Sequence, residues 1–99
     1  VMKTYYHATP FENLIEILDK GIECRNIEGI VYMCETAQDC LKFAYMHGNT
    51  DVLVLKVNVN EKDAIETFDH SQAFFKCRCF GSKKPIKQRN IVEYVRYKL

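Results

Sequence analysis

Apolar residues are densest at Val52-Leu53-Val54-Leu55, and from Lys56 to Asn60 they alternate with polar ones. This pattern predicts a strand covered on both faces in its first half and on one face in its second. Two other stretches carry helical spacing instead. Phe11, Leu14, Ile15 and Leu18 form one stripe, with Glu12, Glu16, Asp19 and Lys20 off it. Thr9-Pro10-Phe11-Glu12 reads as a capping box with proline at the first helical position, which predicts a helix over 10–20. Gly21 is placed to close it as a left-handed C-cap. A second helix is predicted to begin at Thr36, with Asp39 able to complete its cap. Ala37, Cys40, Leu41 and Ala44 make its inner stripe, Phe43 lies beside them, and His47-Gly48 ends it.

The other segments read as strands and loops. Residues 3–8 predict a first strand through Thr4, Tyr5 and Tyr6. After Ile22-Glu23-Cys24 and a loop over 25–29, Ile30–Cys34 predicts a strand buried on both faces. Further strands are expected at 64–68, 73–80 and 91–97, with a turn at Gly81-Ser82-Lys83-Lys84-Pro85. Early helices followed by mostly strands is the order of an α+β fold, and 99 residues suffice for one domain with one modest core.

Composition narrows the class. An apolar fraction of 47% with net charge +1 is globular rather than disordered. No apolar run has the length of a membrane span, and Val1–Tyr6 lacks the apolar stretch of a secretory signal. Five cysteines, an odd number without a C-x-x-C pair, argue against a disulfide scaffold or a zinc ribbon. A cytoplasmic chain with reduced, structural thiols is the expectation. The near-neutral total hides a split, because residues 1–75 carry six basic against twelve acidic side chains. Residues 76–99 carry eight basic ones against Glu93 alone. That end could face phosphate, nucleic acid or an acidic protein, or pair with the acidic half inside the fold.

Three features could carry chemistry. His7 ends a strand directly before a helix start, a position suited to a ribose or phosphate oxygen, and equally one for a structural histidine. Tyr32 stands in an aliphatic strand, where its ring could meet a flat heterocycle or fill the core. Phe74, Phe75 and Phe80 interleave with Lys76, Arg78, Lys83 and Lys84, as in single-strand nucleic-acid binding or in an edge strand guarded by lysines. Walker, nucleophile-elbow and zincin motifs are absent.

Tyr5-Tyr6-His7-Ala8-Thr9, Leu14 to Ile22, Gly29-Ile30-Val31-Tyr32-Met33 and Asp39-Cys40-Leu41-Lys42-Phe43-Ala44, taken in order over residues 4–59, resemble the ADP-ribosyltransferase fold. The chain is similar in particular to its small branches, including the NAD-binding lobe of RNA 2′-phosphotransferases. The resemblance implies a split β-sheet core with two helices in the N-terminal half, and NAD as substrate. It implies that His7 contacts the adenosine ribose, that Ala8 and Thr9 stand where the family has Gly-Thr, and that Tyr32 stacks on nicotinamide. The family's third residue, a late-strand glutamate, has no carboxylate counterpart over Cys77–Gly81. Glu66 and Asp69 precede that segment and Glu93 follows it. Arg25 and Arg78 are the counterparts to consider for a phosphotransferase. The expectation is therefore an NAD- or nucleotide-binding domain, a mono-ADP-ribosyltransferase of unknown acceptor if active. The alternative is a non-catalytic module using segment 76–98 to bind nucleic acid or an acidic protein.

Overall fold

A strand with four consecutive apolar residues must be covered on both faces, and β3 (Asp51–Asn60) occupies that position. In the computed structural model, which describes residues 1–24, 29–67 and 79–99, it runs between β1 (Met2–Pro10) and β6 (Ile91–Lys98). Beyond β1 lie β2 (Val31–Cys34), β5 (Cys79–Ser82) and β4 (Ala64–Thr67), giving one six-stranded sheet of order β4-β5-β2-β1-β3-β6. Every registered strand pair is antiparallel. With the helices α1 (Leu14–Lys20) and α2 (Ala37–Met46), the fold is α+β.

Alternation divides the sheet residues between two cores. Leu53, Leu55, Val57 and Val59 face α1, together with Tyr5, Val31, Met33 and Phe80, and Ile17 of the helix closes this larger core. On the reverse face Val52 and Val54 lie under Ala44 of α2. Beside them Cys34, Cys40 and Cys79 form a small cluster of thiols. Burying one Val or Leu side chain is worth about 1.5–3 kcal/mol, so this one strand contributes much of the driving force for folding. Beyond Leu55 the alternation appears as read from the sequence, with Val57 and Val59 buried while Lys56, Asn58 and Asn60 are half-buried.

Helix α2 matches its sequence signals. The Thr36 hydroxyl accepts from the Asp39 amide at 3.2 Å, Cys40 and Ala44 are buried, and His47 caps the C-terminus. Helix α1 does not. The expected capping box is absent because β1 continues through Thr9 and Pro10, which pair with Leu53 and Val52. The Thr9 hydroxyl instead accepts from Asn13 Nδ2 at 2.8 Å, and a single 3-10 turn (Phe11–Asn13) precedes the helix. A later start rotates the buried stripe to Phe11, Leu14 and Ile17, leaving Ile15 at 82% and Leu18 at 48% exposure. The tertiary ladder outcompeted a local capping preference.

Two other expectations need correction. Gly81 and Ser82 are not turn residues but the end of β5, paired with β2 on one side and β4 on the other. Their small side chains suit this crowded position, and a Cβ at Gly81 would meet Ile30 and Thr67. The reversal starts after them, where Ser82 Oγ donates to the Lys84 carbonyl at 2.8 Å. Strand β2 is not buried on both faces throughout, since Tyr32 is 39% exposed. The last strand, expected at 91–97, is β6, and the one expected at 64–68 is β4. Of the strand expected at 73–80 only Cys79 and Phe80 lie within the described residues.

Gly21 does close α1, in a more restricted conformation than an ordinary left-handed cap. Its φ of 76° and ψ of −168° lie in a region essentially reserved for glycine. The amide donates to the Ile17 carbonyl at 2.7 Å, and the chain then bridges Ile22 to Ile86 through two 2.8 Å hydrogen bonds. A Cβ at Gly21 would run into the Ile86 carbonyl. Gly21→Ala is therefore expected to destabilise the fold by at least about 1–3 kcal/mol from backbone strain alone, measured as a lower urea midpoint at unchanged slope.

Candidate functional site

The sheet has one weak seam. β1 pairs with β3 at nine positions but with β2 at the single pair Tyr6–Cys34. Past that pair the two strands share no register, and the His7 side chain spans the gap. Its Nδ1 donates to the backbone carbonyl of Tyr32 at 2.7 Å. This bond fixes the tautomer: Nδ1 carries the proton and Nε2 is left as the acceptor. Burial pushes the His7 imidazole below its usual value of 6.5, while the Tyr32 carbonyl acts in the opposite, weaker sense. The ring is therefore neutral at neutral pH.

A cavity of about 630 Å³ opens at this seam, large enough for a nucleotide-sized ligand. His7, Ala8, Thr9 and Tyr32 all line it. Strand alternation sends the four side chains to both faces of the sheet, with His7 and Thr9 on the side of Tyr5 and α1. Ala8 and Tyr32 are on the side of Cys34 and α2. The cavity reaches both groups because the strands are not zipped together there. Its walls combine Ile17 and Ile22 from the α1 side with Phe43 and Ala44 of α2. His7 is half-buried, and the exposed Tyr32 has its carbonyl engaged by His7. Thr9 offers less than its sequence position suggested, since its hydroxyl already accepts from Asn13.

Sequence reading missed Glu16, Glu23 and Phe43, which also line the cavity. Glu16 falls off the predicted helical stripe and reads as solvated; the rotation of α1 brings it to the cavity wall. Glu23 reaches the wall because the Ile22–Ile86 bridge fixes its neighbour, a long-range contact with no local signal. These are the carboxylates among the described lining residues. In the late strand, Cys79, Phe80 and Gly81 of β5 supply none, Glu66 sits across from Phe80 on β4, and Glu93 pairs with Lys56 on the far side of β3. Arg25, Asp69, Lys76, Cys77, Arg78, Phe74 and Phe75 lie outside the described residues.

The thiols form the floor of the α2 side. Cys40 Sγ donates to the Tyr6 carbonyl at 3.0 Å, beside the seam. The hydrogen bond with Cys40 and burial both push the Cys34 thiol well above its ordinary range. Among the described residues Cys24, Cys34, Cys40 and Cys79 are thiols, none of them in a disulfide. Among the described residues no group of three or more His, Cys, Asp or Glu could hold a metal ion. Nor is any helix among them long and apolar enough to cross a membrane.

The basic end is partly neutralised from within. Arg96 grips Asp51 through two hydrogen bonds of 2.9 and 2.8 Å and lies over the Phe11 ring at 3.9 Å. Lys84 lies 3.3 Å from Asp63. Lys83, Lys87 and Arg89 are exposed.

No protein-family model and no curated protein matches this chain.

The sign of the His7 effect is fixed by burial. The unfolded chain takes up the proton first as pH falls through about 6.5, so stability present above that value is lost as pH drops toward the depressed folded value. Thermal unfolding should therefore show a falling Tm from about pH 7 to pH 5, and His7→Gln should flatten that slope. An unchanged slope in the variant would assign the pH dependence to other groups.

Proposed function

We propose that this chain binds NAD or a related nucleotide in the seam cavity, as an ADP-ribosyltransferase-like domain. The observation that carries the reading is the His7 bridge. It holds a neutral imidazole at the mouth of a 630 Å³ cavity, beside an exposed Tyr32. A neutral ring with a free Nε2 acceptor suits a ribose hydroxyl, and the tyrosine ring suits the face of a flat heterocycle. The two side chains rise on opposite sides of the sheet, so the ligand would lie across the slot with its sugar on one side and its aromatic head on the other.

Transfer of ADP-ribose would place positive charge on the ribose as nicotinamide leaves. A carboxylate aimed at that charge is typically worth about 3–4 kcal/mol, or two to three orders of magnitude in rate. Glu16 and Glu23 are the carboxylates on the described wall that could supply it. Binding needs neither. The reading thus separates a ligand-holding pair, His7 and Tyr32, from a rate-determining carboxylate. The rival nucleic-acid reading has less to draw on, because Lys84 and Arg96 are already engaged with carboxylates of this chain.

The test is ligand-linked stability. At a hundredfold excess of NAD over its Kd, the gain should be about 2.7 kcal/mol, seen as a rise in Tm. His7→Ala and Tyr32→Ala should each abolish that rise. A melting curve unmoved by millimolar NAD would overturn the proposal.

A further inference from the structure

We propose that β6 is a dimerisation edge, and that two copies of this chain join it to itself, antiparallel, about a twofold axis at Val95. Strand β6 is the outer strand on its side of the sheet and has eight residues. Val92, Tyr94 and Val95 are 54%, 46% and 46% exposed. No other described strand pairs with this edge, and one that exposes such side chains is ordinarily guarded or paired.

The backbone is presented for pairing. The Leu99 amide donates to the Thr50 carbonyl of the preceding turn at 2.7 Å. An antiparallel ladder alternates, so Tyr97, Val95 and Glu93 turn their N–H and C=O groups toward β3. Tyr94, Arg96 and Lys98 then turn theirs outward. Of the charged guards Glu93, Arg96 and Lys98, one is muted. Arg96 is folded back onto Asp51 and the Phe11 ring, and Glu93 stands opposite Lys56 within its own sheet. A register shift between Lys56 and Val57 leaves Val92 as a bulge, limiting the regular edge to Glu93 and the residues after it.

Self-complementarity selects the second copy as occupant. A twofold normal to the sheet keeps each face continuous, so residues facing each other must share a face. With the axis at Val95, Val95 meets its own copy, Tyr94 meets Arg96 and Glu93 meets Tyr97. No like charges oppose one another, and on the α1 side Tyr94 meets the methylene stem of an Arg96 whose guanidinium Asp51 already holds. The seam cavity lies beyond β3 and β1 from this edge, so a dimer formed here leaves it open.

Sedimentation equilibrium of the intact chain, from low micromolar to near-millimolar concentration, should show a monomer–dimer equilibrium. Amide exchange at Tyr94 and Arg96 should slow as concentration rises. Val95→Lys puts two like charges on the axis, and Tyr94→Pro removes an outward N–H without touching the β3 ladder. Each should raise the dissociation constant at least about tenfold. Should Tyr94→Pro fail to fold, Val95→Lys and the exchange data decide. A monomer at every concentration would overturn the proposal, as would a dimer indifferent to Val95→Lys. Exchange at Tyr94 that is slow at all concentrations, or slowed only by an added extended peptide, would likewise reject a second copy at this edge.

Discussion

Val52-Leu53-Val54-Leu55 cannot be wetted on either face, and much of the architecture follows from satisfying that run. One helix must cover each side of the sheet at this end, and α1 and α2 do so. Two strands must flank it, and β1 and β6 fill those positions. Along β1 the pairing with β3 is continuous, whereas its other edge meets β2 at one registered pair. The weak seam therefore lies on the other edge of the strand that carries the longest ladder.

A seam between antiparallel strands would ordinarily expose unpaired backbone groups, which are costly when buried. Here a side chain substitutes for part of the missing ladder. The His7 imidazole satisfies the Tyr32 carbonyl, and the Cys40 thiol satisfies that of Tyr6. The opening is therefore a stable feature of the fold, held at its width by side chains that also form its wall. Burial that keeps the imidazole neutral leaves it one acceptor nitrogen, so the group that props the gap open also presents chemistry to whatever enters.

The sequence was most legible where local and tertiary demands agree. The β3 pattern, the Thr36 cap and the stripe of α2 were readable because periodicity and burial coincide. It was least legible at Thr9-Pro10-Phe11-Glu12, where a capping motif is overruled by pairing with Leu53 and Val52 on a strand far along the chain. The same error displaced the α1 stripe and hid Glu16. Gly81-Ser82 was misread for a related reason, because small residues that signal a turn also suit a strand crowded on both sides. Of the site, His7, Ala8, Thr9 and Tyr32 could be named in advance as one set. That they reach one cavity from opposite faces could not, since it depends on how far two strands stay zipped.

The tie between the end of α1 and the β5–β6 connection has a mechanical meaning. Gly21 and Ile22 dock on Ile86, and Gln88 donates through its side chain to the Asp19 carbonyl. The helix that walls one side of the slot is thereby moored to the opposite end of the chain. The position of that wall is thus set by residues far from the opening in sequence, and the slot takes its shape from a contact outside it.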